Sequence, residues 1–268
     1  MNRLRTLFVA LPAVLLTVAF SSCTVKEERG VCPTYVRICS DEAPAPGTSA
    51  VVTVFHEEDG LVYQMVVPAE SLYPDGYTVK ARRGRISANV LMGIRSMTVF
   101  GGVAQAGKGV QPDSLYRFSG SVESWDEDCD ITGSPMKEFS VLTININNTD
   151  EPFLFRLNGV WDRLDAADFR PGRGNLEFSL NEGFLTAGSY RCILSRQGDE
   201  SLSMDVFASS DLETPYRTLP LGKLMTRAGY DIDAVPMVDV SVDIDLTQGV
   251  ISITVGDWER VVFSVYTI

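Results

Sequence analysis

The chain has 268 residues, 45% of them hydrophobic and 22% charged, and 35 acidic against 23 basic side chains give a net charge of −12. This is ordinary globular chemistry, long enough for two modest domains and too rich in apolar residues for disorder. So acidic a surface, with no compensating basic run, excludes nucleic acid and anionic headgroups as partners of the folded part.

Residues 1–22 read as a secretory signal peptide. Arg3 and Arg5 precede an apolar run over 7–20 that ends in Ser21-Ser22-Cys23, and the run is too short for a comfortable membrane span. Small residues leading into a cysteine form a bacterial lipobox, here with Phe20 where Leu is more usual, so Cys23 is expected to be lipidated and to become the new N-terminus. Several acyl chains, at about 0.8 kcal/mol per buried methylene, hold a protein on a membrane essentially permanently. Losing Arg3 and Arg5 leaves 21 cations against 35 acids, a net −14. Residues 23–31 then form a charged tether, Thr24-Val25-Lys26-Glu27-Glu28-Arg29, ahead of Cys32-Pro33.

Four further cysteines, Cys32, Cys39, Cys129 and Cys192, would lie in an oxidising compartment, where three pairings are open. Cys32 and Cys39 share one extended segment and point to opposite faces. Cys32 with Cys129 is the favoured bond, tying the start of a first domain to its end. Cys192 sits among strand residues and reads as readily as a buried thiol.

Strands are expected at 35–38, 50–56, 61–67, 77–82, 96–100 and 114–122, with Asp59-Gly60 as a hairpin signal and 87–94 ambiguous between helix and strand. The acidic, turn-rich stretch from Trp125 to Pro135 reads as a domain break, giving domains at 32–127 and 136–268. Beyond it come strands at 139–146, 153–157, 175–180, 189–196 and 202–208, a polar connection with a short helix over 219–228, and the cleanest alternation in the chain. There Val238, Val240, Val242, Ile244 and Leu246 alternate with Asp239, Ser241, Asp243 and Asp245. Ile251, Ile253 and Val255 return, and the chain ends on the apolar run 261–268, which must be paired in its own sheet or a neighbour's. Val261, Phe263, Val265 and Thr267, all on one face, are the expected subunit contacts. The fold class is all-β, two sandwiches in tandem.

No catalytic constellation appears, and the protein is expected not to be an enzyme. His56 is the sole histidine, so no second histidine exists to build a zinc site or a histidine dyad, and no nucleophile elbow, phosphate loop or dinucleotide fingerprint is present. Asp126, Asp128 and Asp130 alternate like a calcium loop, but Ile131 replaces the Gly and Lys137 the closing Glu. No metal or small-molecule cofactor is expected. Trp125, Trp161 and Trp258 are scattered in sequence, although folding could gather them into a sugar platform.

One echo joins the halves: Leu72-Tyr73-Pro74-Asp75-Gly76-Tyr77 before one strand, and Leu185-Thr186-Ala187-Gly188-Ser189-Tyr190 before another. In each, a Gly able to take positive φ turns the chain and a Tyr opens the strand. This turn resembles the signature of transthyretin-like sandwiches. Lysine and two acids just after the lipid cysteine resemble the export tag of Bacteroidetes outer-leaflet lipoproteins, and Cys23 through Cys32-Pro33-x-Tyr35-Val36 resembles the start of FimB-type fimbrial anchor subunits of type V pili. The resemblance implies two transthyretin-like domains, a lipid anchor in the outer membrane, surface exposure, and fimbrial subunits as partners. Anchor, tip and stalk roles all stay open, since cleavage after Arg29 in the tether would favour a role other than the anchor. A glycan- or protein-binding surface lipoprotein is the alternative.

Overall fold

A computed structural model describes residues 32–147, 152–179, 187–208, 212–257 and 259–264, with 174–178 as backbone; the signal segment, Cys23 and the tether fall outside them. The first half contains β1 (Pro33–Ser40), β2 (Ser49–His56), β3 (Gly60–Pro68), β4 (Tyr77–Arg82), β5 (Gly84–Ile94), β6 (Thr98–Phe100), β7 (Val103–Gln105), β8 (Tyr116–Ser124), β9 (Asp128–Gly133) and β10 (Met136–Lys137). A three-stranded sheet, β4-β1-β9, packs on a five-stranded one, β10-β8-β5-β2-β3. Their shared core takes Val36 and Ile38 from β1, Val52 and Val54 from β2, Val90 from β5 and Phe118 from β8. The ambiguous segment 87–94 is strand for a packing reason. Ala88, Val90 and Met92 enter this core while Leu91 enters a second one on the opposite face, a division that period 2 allows and a helix would not.

The second half contains β11 (Phe139–Asn147), β12 (Phe153–Asp165), β13 (Pro171–Ser179), β14 (Gly188–Ser195), β15 (Ser203–Ala208), β16 (Arg217–Leu219), the helix α1 (Leu221–Arg227), β17 (Val240–Asp245), β18 (Val250–Val255) and β19 (Val261–Ser264). Its sheets run β14-β11-β17-β18-β19 and β16-β15-β12-β7-β6, with β13 also on β12. Val240, Val242 and Ile244 are buried, as are Ile251, Ile253 and Val255, so the alternation of the last thirty residues sits as the sequence implies. The molecule is all-β apart from α1 and a single 3-10 turn at Ala69–Leu72 among the described residues.

Strand by strand, the halves repeat. β1 holds β4 antiparallel on one side and β9 parallel on the other; β11 holds β14 and β17 in the same senses. β2 pairs with β3 and β5, as β12 does with β13 and β15, and β5–β8 matches β15–β16. The echo in the sequence therefore falls on equivalent strands, β4 and β14. Its two glycines differ in reason. Gly76 has φ +81°, and a Cβ there would lie 2.3 Å from the Cys39 Sγ. Gly188 is not at positive φ, and is crowded instead by the ring of Tyr190.

Two features depart from the sequence reading. The stretch taken as a domain break contains β9, paired from Asp128 to Gly133 with β1. Its Cys129 and Ile131 turn to the core, Asp128 and Asp130 turn outward, and Arg37 grips Asp130 with two hydrogen bonds of 2.8 and 2.7 Å. The Asp-x-Asp-x-Asp pattern is the solvent face of an edge strand. The second departure is the hairpin β6–β7, where the sequence reading has a strand at 96–100 in the first sandwich and none over β7. It joins the second, where Val103, Ala104 and Gln105 pair with Asp165, Leu164 and Arg163 of β12. With it Leu91, Ile94, Met97 and Leu115 enter the second half's core.

Candidate subunit-contact surfaces

The C-terminal run expected to pair with a neighbour pairs first within its own chain. β19 lies antiparallel to β18, with Ile253 opposite Val261 and Ile251 opposite Phe263. Val261 and Phe263 pack against the second core, and the Arg227 guanidinium stacks 5.2 Å from the centroid of the Phe263 ring. The inward face is thus engaged in cis, whereas Val262 is 61% exposed and β19 is the last strand of its sheet among the described residues. Val265 and Thr267 lie outside the described residues.

Beside the sheet's opposite edge, the segment 107–116 of the first half folds over β14. The Gln111 side chain accepts the Ile193 amide at 3.0 Å and so covers part of that edge. A cleft of about 740 Å³ opens there between the halves, lined by Pro44, Met92, Arg95, Val110, Tyr116 and Ile193 among others. Asp113 shapes its floor, accepting the amides of Arg95, Ser96 and Met97 at 2.8, 2.9 and 2.9 Å and the Ser96 hydroxyl at 2.8 Å. Burial works against its charge, but those donors outweigh burial and hold the carboxyl below the usual carboxylate range. A depressed folded value means the stabilisation is fully present above the unfolded value of about 3.9 and is lost as pH falls through the folded one. Asp113→Asn is expected to lower Tm near pH 7 and to flatten the loss of stability below about pH 4, as read by thermal melts across that range.

Between the halves lies a buried ionic triad. Glu138, fully buried, accepts from Arg196 through both guanidinium nitrogens Nε and Nη2, the latter at 3.1 Å, and from Arg117 of β8 at 2.9 Å. Arg196 also donates to the carbonyls of Ile232 and Ala234 at 2.6 and 2.9 Å. Burial pushes the Arg117 guanidinium down from its ordinary value, Glu138 opposing and Arg196 adding to the shift. Arg117 in turn stacks 4.7 Å over Phe169.

The remaining residues singled out in the sequence have structural partners. His56 is buried, accepts the Glu58 amide at Nδ1 and faces the Arg83 carbonyl from Nε2 at 3.1 Å, which fastens the β4–β5 turn. Asp239 accepts the Val141 amide at 2.7 Å, Asp243 the Asn145 side chain at 2.8 Å and Asp245 the Gln248 amide at 2.8 Å. Among the described residues no group of three or more His, Cys, Asp or Glu side chains could hold a metal. Trp125 is half-exposed and bonded to Glu123, while the Trp161 ring lies under Arg173 and against Gly198; Trp258 lies outside the described residues. The cysteines correct one expectation. Cys32 and Cys129 are both free, because the register sets Cys129 beside Val36, four residues along β1 from Cys32, or about 13 Å at the usual rise per residue. Cys192 is buried, which pushes its thiol up to about 12, as a plain core thiol would be.

No protein-family model matches the sequence, and no curated protein matches it. Solved structures do. The fimbrial anchor protein Mfa2 from Porphyromonas gingivalis is 9% identical, with 85% of this chain and 98% of that one covered at a TM-score of 0.58. A Bacteroides thetaiotaomicron protein provisionally described as an adhesin is 15% identical, with 87% and 98% covered at 0.56. Another from the same organism, provisionally described as polysaccharide-binding, is 8% identical, with 87% and 98% covered at 0.52. At these identities the likeness is one of fold: this chain is built as the fimbrial anchor protein Mfa2 is built, over nearly the whole of Mfa2's length.

Proposed function

We propose that the protein is a non-enzymatic structural lipoprotein of a type V fimbria, held at the outer membrane through lipidated Cys23 and in contact with fimbrial subunits through its C-terminal edge. The observation that carries this reading is the fold shared with the fimbrial anchor Mfa2 along 98% of that protein, joined to a lipobox at Ser21-Ser22-Cys23. β19 supports the contact: its inner face is committed to its own core, and it is the last strand of its sheet among the described residues, where an extended strand could be added.

The test is a pulldown of fimbrial subunits from cells carrying the native chain or Cys23→Ala. Loss of the protein from the outer-membrane fraction, with fimbriae shed into the medium, is the expected result. A Cys23→Ala strain with unchanged fractionation and attached fimbriae would overturn the anchor reading, and a mature N-terminus at Gly30, after Arg29, would assign a polymerising role instead. The polysaccharide-binding alternative has a fold relative behind it, but Trp125 and Trp161 are engaged with different partners and form no shared platform.

A further inference from the structure

We propose that the free edge of β3 is a docking site for an extended polypeptide segment with apolar residues at alternate positions and basic residues at its ends. Among the described residues β3 closes the five-stranded sheet and pairs only with β2. Its sequence, GLVYQMVVP, has no charged residue. Other long edge strands among the described residues carry charges: Lys80 and Arg82 on β4, Asp128 and Asp130 on β9, Arg191 on β14. Charged side chains are the usual means of keeping an edge from recruiting another chain. The exception is therefore specific to β3, whose ladder is regular from Tyr63 to Pro68 beyond a single bulge.

Both faces of that edge offer apolar contact. On the core side Met65, 53% exposed, follows Tyr63, whose hydroxyl shares a 2.5 Å hydrogen bond with Tyr77. On the other side Val66 is 47% exposed, and the turn of the β6–β7 hairpin sits on Gln64, with Phe100 beside that turn 90% exposed. An added strand would place alternate side chains on each.

Charge selects the occupant. Glu57, Glu58 and Asp59 form the turn before β3, offset in part by Arg82, and Glu70 stands just beyond Pro68. Gly47 donates to the Glu70 carboxylate at 2.7 Å. A second copy paired antiparallel about the centre of β3 would set acidic turn against Glu70 at both ends, a like-charge cost. A segment flanked by Lys or Arg meets complementary charge at both.

The experiment uses the full mature chain with Cys23→Ala and two synthetic peptides of alternating Val and Thr, one flanked by lysines and one by glutamates. The lysine-flanked peptide is expected to bind at least about tenfold tighter and to slow amide exchange in β3, since two charge pairs near a surface are worth about that much. Met65→Lys should abolish both effects while leaving Tm unchanged, and Glu57→Lys with Glu58→Lys should reverse the peptide preference. Equal binding of the two peptides, unchanged exchange in β3, or a concentration-dependent dimer dispersed by Met65→Lys would overturn the proposal, the last by giving the edge to a second copy.

Discussion

A fragment of residues 136–268 is expected to remain unfolded or to aggregate, although it contains every strand of the second half except two. Those two, β6 and β7, come from the first half and extend the sheet beyond β12. With them go Leu91, Ile94, Met97 and Leu115, and Val51 from β2, all buried in the second half's core. At about 1.5–3 kcal/mol for each large buried side chain, their loss removes about 8–15 kcal/mol, which equals the whole stability of a typical domain. The complementary fragment, 32–137, would leave these same side chains uncovered and is expected to self-associate. Circular dichroism and sedimentation of the two fragments, singly and mixed, measure this. A cooperative, monomeric melt of 136–268 alone would show that the hairpin is dispensable.

The second large effect is expected from Glu138→Ala. The carboxylate has two guanidinium partners, one from each half of the chain, and its removal leaves Arg196 buried without a counter-charge. Breaking a buried ion pair from one side costs about 3–5 kcal/mol. In a chain of this size that lowers Tm by about 6–20 °C. Pairing Glu138→Leu with Arg196→Met should recover part of the loss, since apolar replacement of a buried pair is often close to neutral; the carbonyls of Ile232 and Ala234, left without the Arg196 donors, keep it from being complete. Urea denaturation of the single and double variants reads both terms, and a Glu138→Ala chain as stable as the parent would show that the triad holds nothing.

Much of this architecture is legible in the residues. The strands β1 to β4, β11, β14, β15, β17 and β18 follow alternation or β-branched runs, and the Gly-Tyr echo marks β4 and β14 as equivalent although so few residues match. What escapes is non-local. The segment at 128–133 has the composition of a linker, and only β1, ninety residues earlier, makes it a strand by offering Val36 and Ile38 beside Cys129 and Ile131. The placement of β6–β7 is likewise invisible in its own residues, because Val99 and Ala104 would fit either core. At the C-terminus the sequence requires that an apolar strand be paired; that Val261–Ser264 pairs with β18 is seen only in the sheet register. The uncharged edge of β3 is written in the sequence, but its meaning depends on knowing that, among the described residues, no strand follows it in the sheet.

The position of β1 has a mechanical consequence. A pull entering from the residues before Cys32 loads β1 along its own length, and β1 is the middle strand of its sheet, with six paired residues to β4 on one side and six to β9 on the other. Force in that direction shears both ladders at once, so that many hydrogen bonds share the load, where a pull across an edge strand would unzip them singly. The Arg37–Asp130 clasp lies on the same shear plane. Tension entering through the residues before Cys32 would thus meet the first sandwich along the shear direction of both ladders.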